Sequence, residues 1–166
     1  MHKEIILPQL TLRELINNAV KSFPEFPAVS FVEGKPINYY ELGLEIERIA
    51  DLLATLGLQK GGKVALYSHN MPNWVIAFFA VVSKGMVIVP VLPDFSTEEI
   101  KNVMEHSESK VLFVSERLSS RIPEQTDLLS MIRLDDFAVV RGTVPVITVK
   151  AKEEEVQEDD LAAIIY

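Results

Sequence analysis

The segment from Lys63 to Asp94 constrains the fold more than any other part of the sequence, because it has the pattern of a strand, a helix and a second strand. The unbroken apolar run 64–67 is followed by polar residues, which is typical of a buried parallel strand. Pro72 suits a first helical turn, and apolar residues recur after it at spacings of three and four. Gly85 predicts the end of that helix, and 86–91 is a second apolar run. The segment therefore predicts a right-handed βαβ unit.

A helix and a β-hairpin are predicted near the start of the chain. Thr11 and Glu14 have the spacing of a capping box, and the amphipathic pattern after Thr11 indicates a helix that ends near Phe23. The runs 28–32 and 35–38 flank Glu33-Gly34, which is typical of a short hairpin.

Two further helices and a third parallel strand are predicted on either side of the central unit. The amphipathic pattern of 39–56 indicates a long helix that Gly57 ends. Ser96-Thr-Glu-Glu99 has the spacing of a capping box, and the helix that it begins should end near His106. The apolar run 110–114 then predicts another buried strand.

The last third of the sequence has weaker patterns. Residues 115–121 suggest one helical turn, and 131–134 and 144–149 suggest short strands. The acidic run within 150–160 is interpreted as a solvated linker, and 161–166 as an apolar strand inside the sheet. Residues 1–166 are therefore expected to form a single α/β subdomain with a parallel β-sheet flanked by helices.

Composition restricts the classes of function that this chain can have. A net charge of −8 opposes binding to nucleic acid, and the absence of cysteine excludes disulfides and thiolate chemistry. The sequence shows neither a signal peptide nor the eighteen or so consecutive apolar residues of a membrane span. We therefore expect a soluble, cytoplasmic protein.

The common nucleotide and metal motifs are missing from the sequence. Residues 68–73 lack the Gly-x-Gly-x-x-Gly that would follow the first strand of a dinucleotide fold, and there is no Gly-x-x-x-x-Gly-Lys-Ser/Thr. The three histidines, His2, His69 and His106, are scattered, so no zinc site is predicted.

Several residues near the central unit have both a structural and a functional interpretation. His69 follows a parallel strand, where α/β folds bind ligands, but a solvent-exposed loop histidine explains it better. Asn70 could contact a ligand, but the favoured explanation is that Asn70 or Ser68 caps the following helix. The helical spacing of Trp74, Phe78 and Phe79 favours buried packing over a stacking platform.

Three stretches resemble the N-terminal part of the adenylate-forming enzymes, which include the acyl-CoA synthetases. They are SKGMVIVPVLPD (83–94), Asn38-Tyr-Tyr-Glu-Leu42, and Asp159-Asp-Leu-Ala-Ala-Ile-Ile-Tyr166. The resemblance extends from about Thr11 to Tyr166. The chain departs from the family pattern in having Asn38 for Thr or Ser and Gly62 for an acidic residue, and both changes are mild.

The resemblance implies the N-terminal part of a long-chain-fatty-acid–CoA ligase that is cut just before the phosphate-binding loop. The stretches PVLPDFSTEEI and KVLFVSERL are most similar to bacterial long-chain ligases. The full enzyme would use ATP, Mg²⁺ and CoA to convert a fatty acid to acyl-AMP and then to acyl-CoA. Its catalytic residues would follow Tyr166, so the resemblance assigns no catalytic or metal-binding residue to this chain.

Candidate contacts to the CoA nucleotide follow from the same resemblance. The loop after the Gly-strand-Pro stretch and the loop after the next parallel strand would face CoA, which points to Asp94, Arg117 and Arg121. An arginine pairs well with a phosphate, whereas surface arginines that offset an acidic domain are the structural alternative.

Other functions and partners remain open from the sequence. An adenylation domain for an amino acid or another carboxylic acid, or an acyl-AMP ligase that loads a carrier protein, would have the same early motifs. A non-catalytic α/β binding module is the alternative from a different class. We expect the chain by itself to bind ATP weakly at best and to self-associate through 161–166, and the full enzyme could associate peripherally with membranes.

Overall fold

The computed structural model describes residues 7–144, 146 and 150–166. The helices are α1 (Leu12–Ser22), α2 (Tyr39–Thr55), α3 (Pro72–Val82), α4 (Thr97–Ser107) and α5 (Glu116–Ser119). The strands are β1 (Pro27–Val29), β2 (Ile37–Asn38), β3 (Lys63–Tyr67), β4 (Val87–Val91), β5 (Val111–Val114), β6 (Ser130–Arg133) and β7 (Val139–Gly142). Strands β1 and β2 form a small antiparallel hairpin, and the other strands form the main sheet in the order β4-β3-β5-β6-β7.

The main sheet is mostly parallel, which confirms the predicted fold class. Strand β3 lies between β4 and β5 and pairs in parallel with both, and β5 pairs in parallel with β6. The βαβ unit is β3, α3 and β4, as the sequence predicted. The exception is β7, an antiparallel edge strand that the sequence analysis did not predict.

The C-terminal segment 161–166 lies at the edge of the sheet rather than inside it. The N–H of Ile88 donates to the Ala162 carbonyl at 3.0 Å, and the N–H of Ile164 donates to the Ile88 carbonyl at 3.0 Å. This parallel bridge adds the segment to the free side of β4. Leu161 and Ile165 remain 56% and 81% exposed, so the prediction of a strand inside the sheet was wrong.

Helices cover both faces of the sheet and bury a separate apolar core on each. The first core joins α1, α2 and α3 to one face and includes Ile49, Leu53, Leu66 and Phe113. The second core joins α4 and α5 to the opposite face and is built around Tyr67, Ile100 and Leu112. Alternate residues of the strands therefore face opposite layers of helix.

Capping boxes begin two of the helices, and of these the box at Ser96 was predicted from the sequence whereas the box at Asn38 was not. The Asn38 side chain accepts the N–H of Glu41 at 2.8 Å, and the Glu41 carboxylate accepts the N–H of Asn38 at 2.9 Å. Ser96 and Glu99 have the same reciprocal arrangement at the start of α4. These bonds satisfy backbone N–H groups that a helix cannot satisfy internally, so they fix where α2 and α4 begin.

Helices α1 and α3 begin differently from each other. Thr11 caps α1 by accepting the N–H of Glu14 at 3.1 Å, but no return bond from the Thr11 N–H to the Glu14 carboxylate is found among the described residues, so the predicted capping box is only half formed. The residue before α3 is Met71, whose side chain makes no capping bond. The prediction that Ser68 or Asn70 caps this helix was therefore wrong.

Gly85 ends the turn after α3, as predicted. The N–H of Met86 donates to the Val81 carbonyl and the N–H of Gly85 to the Val82 carbonyl, both at 3.2 Å. This is the Schellman pattern, which places one residue in the left-handed region. That residue is Gly85, with φ of 70°.

The less regular predictions are largely confirmed where the structure describes them. The hairpin forms, but β1 and β2 are shorter than the predicted runs 28–32 and 35–38. The predicted helical turn is α5, and the strand predicted at 131–134 is β6. The strand predicted at 144–149 lies mostly outside the described residues.

The acidic run within 150–160, predicted to be a solvated linker, contacts several cationic side chains. Glu153 pairs with Arg13 of α1 and, at 3.3 Å, with Lys84 after α3. Asp160 pairs with Lys60 at 2.6 Å. These long-range contacts hold the run against the helices, and sequence spacing gave no sign of them.

Candidate functional site

The carboxyl ends of β3, β4 and β5 meet at one edge of the sheet, where open α/β folds bind ligands. Ser68, directly after β3, is buried and donates to the His69 carbonyl at 2.8 Å. His69 and Asn70 are exposed. The exposure of His69 agrees with a loop histidine in solvent.

Arg121 joins the ends of β3 and β4. Its Nη1 donates to the Pro93 carbonyl at 2.9 Å and approaches the Tyr67 hydroxyl at 3.4 Å. The buried Tyr67 also donates to the Pro93 carbonyl, at 3.2 Å. Arg121 therefore holds the loop after β4 in place.

Arg117 and Asp94 are both exposed at this edge. No hydrogen bond or ion pair found among the described residues uses either side chain. The guanidinium of Arg117 is therefore available to an anion from solvent, whereas one nitrogen of Arg121 already has acceptors. A role for Arg117, Arg121 and Asp94 in facing CoA stays a prediction.

A hydrogen-bond network around Asn73 was missed by the sequence analysis. The Asn73 amide donates to the carbonyls of Leu134 and Asp135 at 2.8 and 2.9 Å. The Asp135 carboxylate in turn accepts the N–H of Glu116 at 2.7 Å. The network joins the starts of α3 and α5 to the end of β6. Its acceptors for Asn73 are backbone carbonyls 61 and 62 residues away, which no side-chain motif reveals.

Asp136, in the turn after β6, forms a structural ion pair with Arg133. Arg133 binds its carboxylate in a bidentate manner, with Nε–Oδ1 and Nη2–Oδ2 distances of 2.9 and 2.5 Å. The hydrogen bond from Arg133, helped by the N–H of Ala138, lowers the pKa of Asp136 to about 2. This carboxylate is therefore an unsuitable general base at neutral pH.

The aromatic residues of α3 pack along its flank. Trp74 stacks on Phe78 with ring centroids 5.3 Å apart, and Phe79 meets Phe78 edge-on at 5.4 Å. All three pack against the first core but are only partly buried. The fully covered face consists of smaller residues, Ile76, Ala77, Ala80, Val81 and Val82. The predicted burial of the aromatic rings is thus only partial.

The described residues show neither a cluster for a metal ion nor a favourable phosphate site at the starts of α3 and α4. They contain no group of three or more His, Cys, Asp or Glu side chains that could hold a metal ion. Helix α3 starts with Pro72, which lacks an N–H, and α4 has Glu98 and Glu99 in its first turn. Neither helix start offers a phosphate group both free amides and favourable charge.

No helix in the described part of the chain combines the length and apolar character needed to cross a bilayer.

A family model described as "AMP-binding enzyme" matches residues 16–166. The match covers most of the chain, and the chain therefore belongs to this family of adenylate-forming enzymes.

Individual relatives come from two branches of such enzymes. The chain is 28% identical over 115 residues to the long-chain-fatty-acid–CoA ligase of Bacillus subtilis (strain 168), covering 69% of this chain and 20% of the ligase. It is 24% identical over 156 residues to gramicidin S synthase 2 of Brevibacillus brevis, covering 94% of this chain and 3% of the synthase. The chain thus spans only a small part of these relatives.

A solved structure supports the fold. The crystal structure of a long-chain-fatty-acid-CoA ligase from Archaeoglobus fulgidus is similar with a TM-score of 0.78 and 21% identity. The similarity covers 98% of this chain and 35% of that chain. At this identity the likeness establishes the architecture alone.

Proposed function

We propose that this chain is the N-terminal part of an ATP-dependent acid–thiol ligase that activates a long-chain fatty acid as acyl-AMP and transfers the acyl group to CoA. The observation that supports this best is the family match over residues 16–166. The similarity to the Bacillus subtilis ligase favours a fatty acid as the substrate. The remainder of the same polypeptide would be its main partner and would supply the catalytic groups. A cytoplasmic location, with peripheral membrane association of the full enzyme, belongs to the same proposal.

Within this proposal, the loops at the carboxyl edge of the sheet face the CoA nucleotide. Arg117 is exposed and pairs with a phosphate group, since a guanidinium forms strong charge-assisted hydrogen bonds with phosphate oxygens. Arg121 holds the Pro93 carbonyl and so fixes the loop that carries Asp94. In this proposal the residues that act on ATP, Mg²⁺ and the adenylate follow this chain in the full enzyme, as the resemblance implies.

An adenylation domain of a peptide synthetase, or an acyl-AMP ligase, is the second candidate function. The similarity to gramicidin S synthase 2 extends over more of the chain than that to the fatty-acid ligase, although the identity is lower. In this case the acid would be an amino acid or another carboxylic acid, and a carrier-protein thiol would replace CoA. A non-catalytic module is supported less well, because the family match spans most of the chain.

The gene and the activity of its product test the proposal. We expect the codons after Tyr166 to encode a Ser/Thr/Gly-rich loop ending in Pro-Lys, and the full product to catalyse pyrophosphate exchange that depends on a long-chain fatty acid. Pyrophosphate exchange that depends on an amino acid and not on a fatty acid would favour the second candidate. A stop codon after Tyr166 would contradict both.

The isolated chain should show no micromolar binding of Mg-ATP in calorimetric titration, because its sequence has no Gly-x-x-x-x-Gly-Lys-Ser/Thr loop and the starts of α3 and α4 do not favour a phosphate group. Micromolar binding would contradict the assignment of the nucleotide site to the remainder of the polypeptide.

A further inference from the structure

Lys60, in the loop between α2 and β3, contacts two parts of the acidic run near the end of the chain. Its Nζ lies 2.6 Å from Oδ2 of Asp160 and donates to the Glu155 carbonyl at 2.7 Å. Its side chain is 35% exposed, and that of Asp160 is 25% exposed. The pair is therefore partly shielded from solvent.

The stem of the Lys60 side chain passes over Gly85, two residues before β4. A Cβ atom added to Gly85 would lie 3.0 Å from Cγ of Lys60, which is closer than real Cβ contacts normally are. The lysine stem can cross at this point because Gly85 has no side chain. Gly85 therefore has two roles: it adopts the left-handed conformation after α3, and it leaves room for the side chain of Lys60.

The loop that carries Lys60 is fixed to the start of β4 by backbone bonds. The N–H of Gly61 donates to the Gly85 carbonyl at 2.8 Å, and the N–H of Val87 donates to the Gly62 carbonyl at 2.9 Å. Because the loop cannot shift independently of β4, the ammonium group of Lys60 has a defined position relative to that strand.

Asp160 directly precedes the edge segment 161–166. That segment is held to β4 by two backbone hydrogen bonds, one donated by the N–H of Ile88 and one accepted by its carbonyl. Two hydrogen bonds by themselves stabilise one register only weakly. A shift by one residue would also exchange the sides of the segment that face core and solvent, so the packing of Ala162, Ala163 and Ile164 on the two cores favours the observed register. A fixed position for Asp160 adds a polar contact that favours the same register.

We propose that Lys60 is a positioning residue that sets the register of segment 161–166 beside β4 by holding Asp160 at a fixed place relative to Gly85. Asp160 also accepts the N–H of Gln157 at 2.8 Å, so its Oδ2 atom is held by both Lys60 and Gln157. The bonds from Lys60 and Gln157 lower the pKa of Asp160, so the carboxylate is ionised at neutral pH.

The importance of this contact for catalysis rests on the proposed function. By resemblance, 159–166 leads into the phosphate-binding loop of the adenylate-forming enzymes, so the register of this segment would determine where that loop begins. Arg13 and Lys84 hold Glu153, several residues earlier, and therefore fix the acidic run without directly fixing the register of the segment.

Amide hydrogen exchange on this chain tests the proposal. Lys60→Met keeps an unbranched stem over Gly85 and removes the ammonium group. We expect the N–H of Ile164, which donates to Ile88, to exchange roughly fivefold faster, as for loss of a partly exposed ion pair. The N–H of Leu66 in the central strand β3 should exchange at an unchanged rate, and Lys60→Arg should restore slow exchange at Ile164.

Lys101→Met is the matched control, because it removes the same charge from an exposed pair with Glu105 at 3.9 Å. This control should leave exchange at Ile164 unchanged. Adding Asp160→Asn to Lys60→Met should give little further acceleration, since the ammonium group is already absent and an Asn amide oxygen can still accept the N–H of Gln157.

Unchanged exchange at Ile164 in Lys60→Met, or equal acceleration at Leu66, would overturn the proposal. If Lys60→Arg failed to restore slow exchange, that would also overturn it. These readouts need neither ATP nor CoA. The native full-length product could prove inactive as a ligase while Lys60→Met still speeds exchange at Ile164. That result would reject the proposed function and retain the positioning role of Lys60.

Discussion

At the residue scale, Gly85 has two separate reasons to lack a side chain. Its φ of 70° is strained for other residues, and a Cβ atom there would lie only 3.0 Å from Cγ of Lys60. We expect Gly85→Val to lower the stability to unfolding by more than the ~1–2 kcal/mol of left-handed strain alone. Thermal or urea denaturation measures the change.

Gly57 provides the matched control for this substitution. Its φ is 85°, yet a Cβ atom added there would meet nothing within 4 Å. Gly57→Val should therefore show the backbone strain without the steric clash, and lose less stability than Gly85→Val. Equal losses would mean that Lys60 moves aside at no cost.

The ion pair of Asp136 predicts a dependence of stability on pH. The pKa of this carboxyl is about 2 in the folded chain, below its ordinary value of 3.8. The pair therefore contributes stability above pH 3.8, and this contribution is lost as the pH falls from 3.8 towards 2. Between pH 5 and pH 2, the free energy of unfolding measured in urea should fall less for the Asp136→Asn variant than for the native chain. An identical loss in both would contradict the pairing with Arg133.

At the scale of elements, the Asn73 network should matter more than its half-buried position suggests. Asn73→Ala would leave the carbonyls of Leu134 and Asp135 without this donor, at a cost of about 1–2 kcal/mol. We expect a lower melting temperature in calorimetry. Asn70→Ala is the control, because Asn70 is exposed and makes no cap, and it should change the melting temperature little.

The elements that the sequence predicted well are those specified by neighbours in the chain. The capping box of α4 acts over three residues, and the apolar runs of β3 and β4 reflect burial on both faces. The antiparallel strand β7 was missed because its alternating half-buried pattern is short. The start of α3 was misassigned because Ser68 and Asn70 are both common capping residues, and local sequence cannot show that neither side chain bonds there.

The candidate site was less predictable than the fold for a related reason. Sequence order placed Asp94, Arg117 and Arg121 near one edge, but the acceptors of Arg121 lie 28 and 54 residues away. The cations that hold the acidic run are likewise distant in sequence from their partners, by 95 residues for Lys60 and Glu155. Such contacts depend on the assembled tertiary structure.

At the scale of the whole molecule, the exposed edge segment predicts self-association. Leu161 and Ile165 are largely exposed, and apolar burial is worth roughly 25 cal/mol per Å². The net charge of −8 opposes assembly, so association should increase with salt. Light scattering over a concentration series at low and high salt should show a mass above that of the monomer. A monomer at every concentration and salt level would contradict this expectation.

The pairing of Ile88 with Ala163 also has a consequence for synthesis on the ribosome. The two residues are separated by about 75 positions, so β4 emerges well before the segment that pairs with it. At roughly 5–20 residues per second, the free side of β4 stays unpaired for about 4–15 seconds in each nascent chain. During that interval β3, β4 and β5 can already form a sheet, onto which the last residues add as a late step. The nascent chain is therefore most vulnerable to mispairing at this edge before translation reaches Ala163.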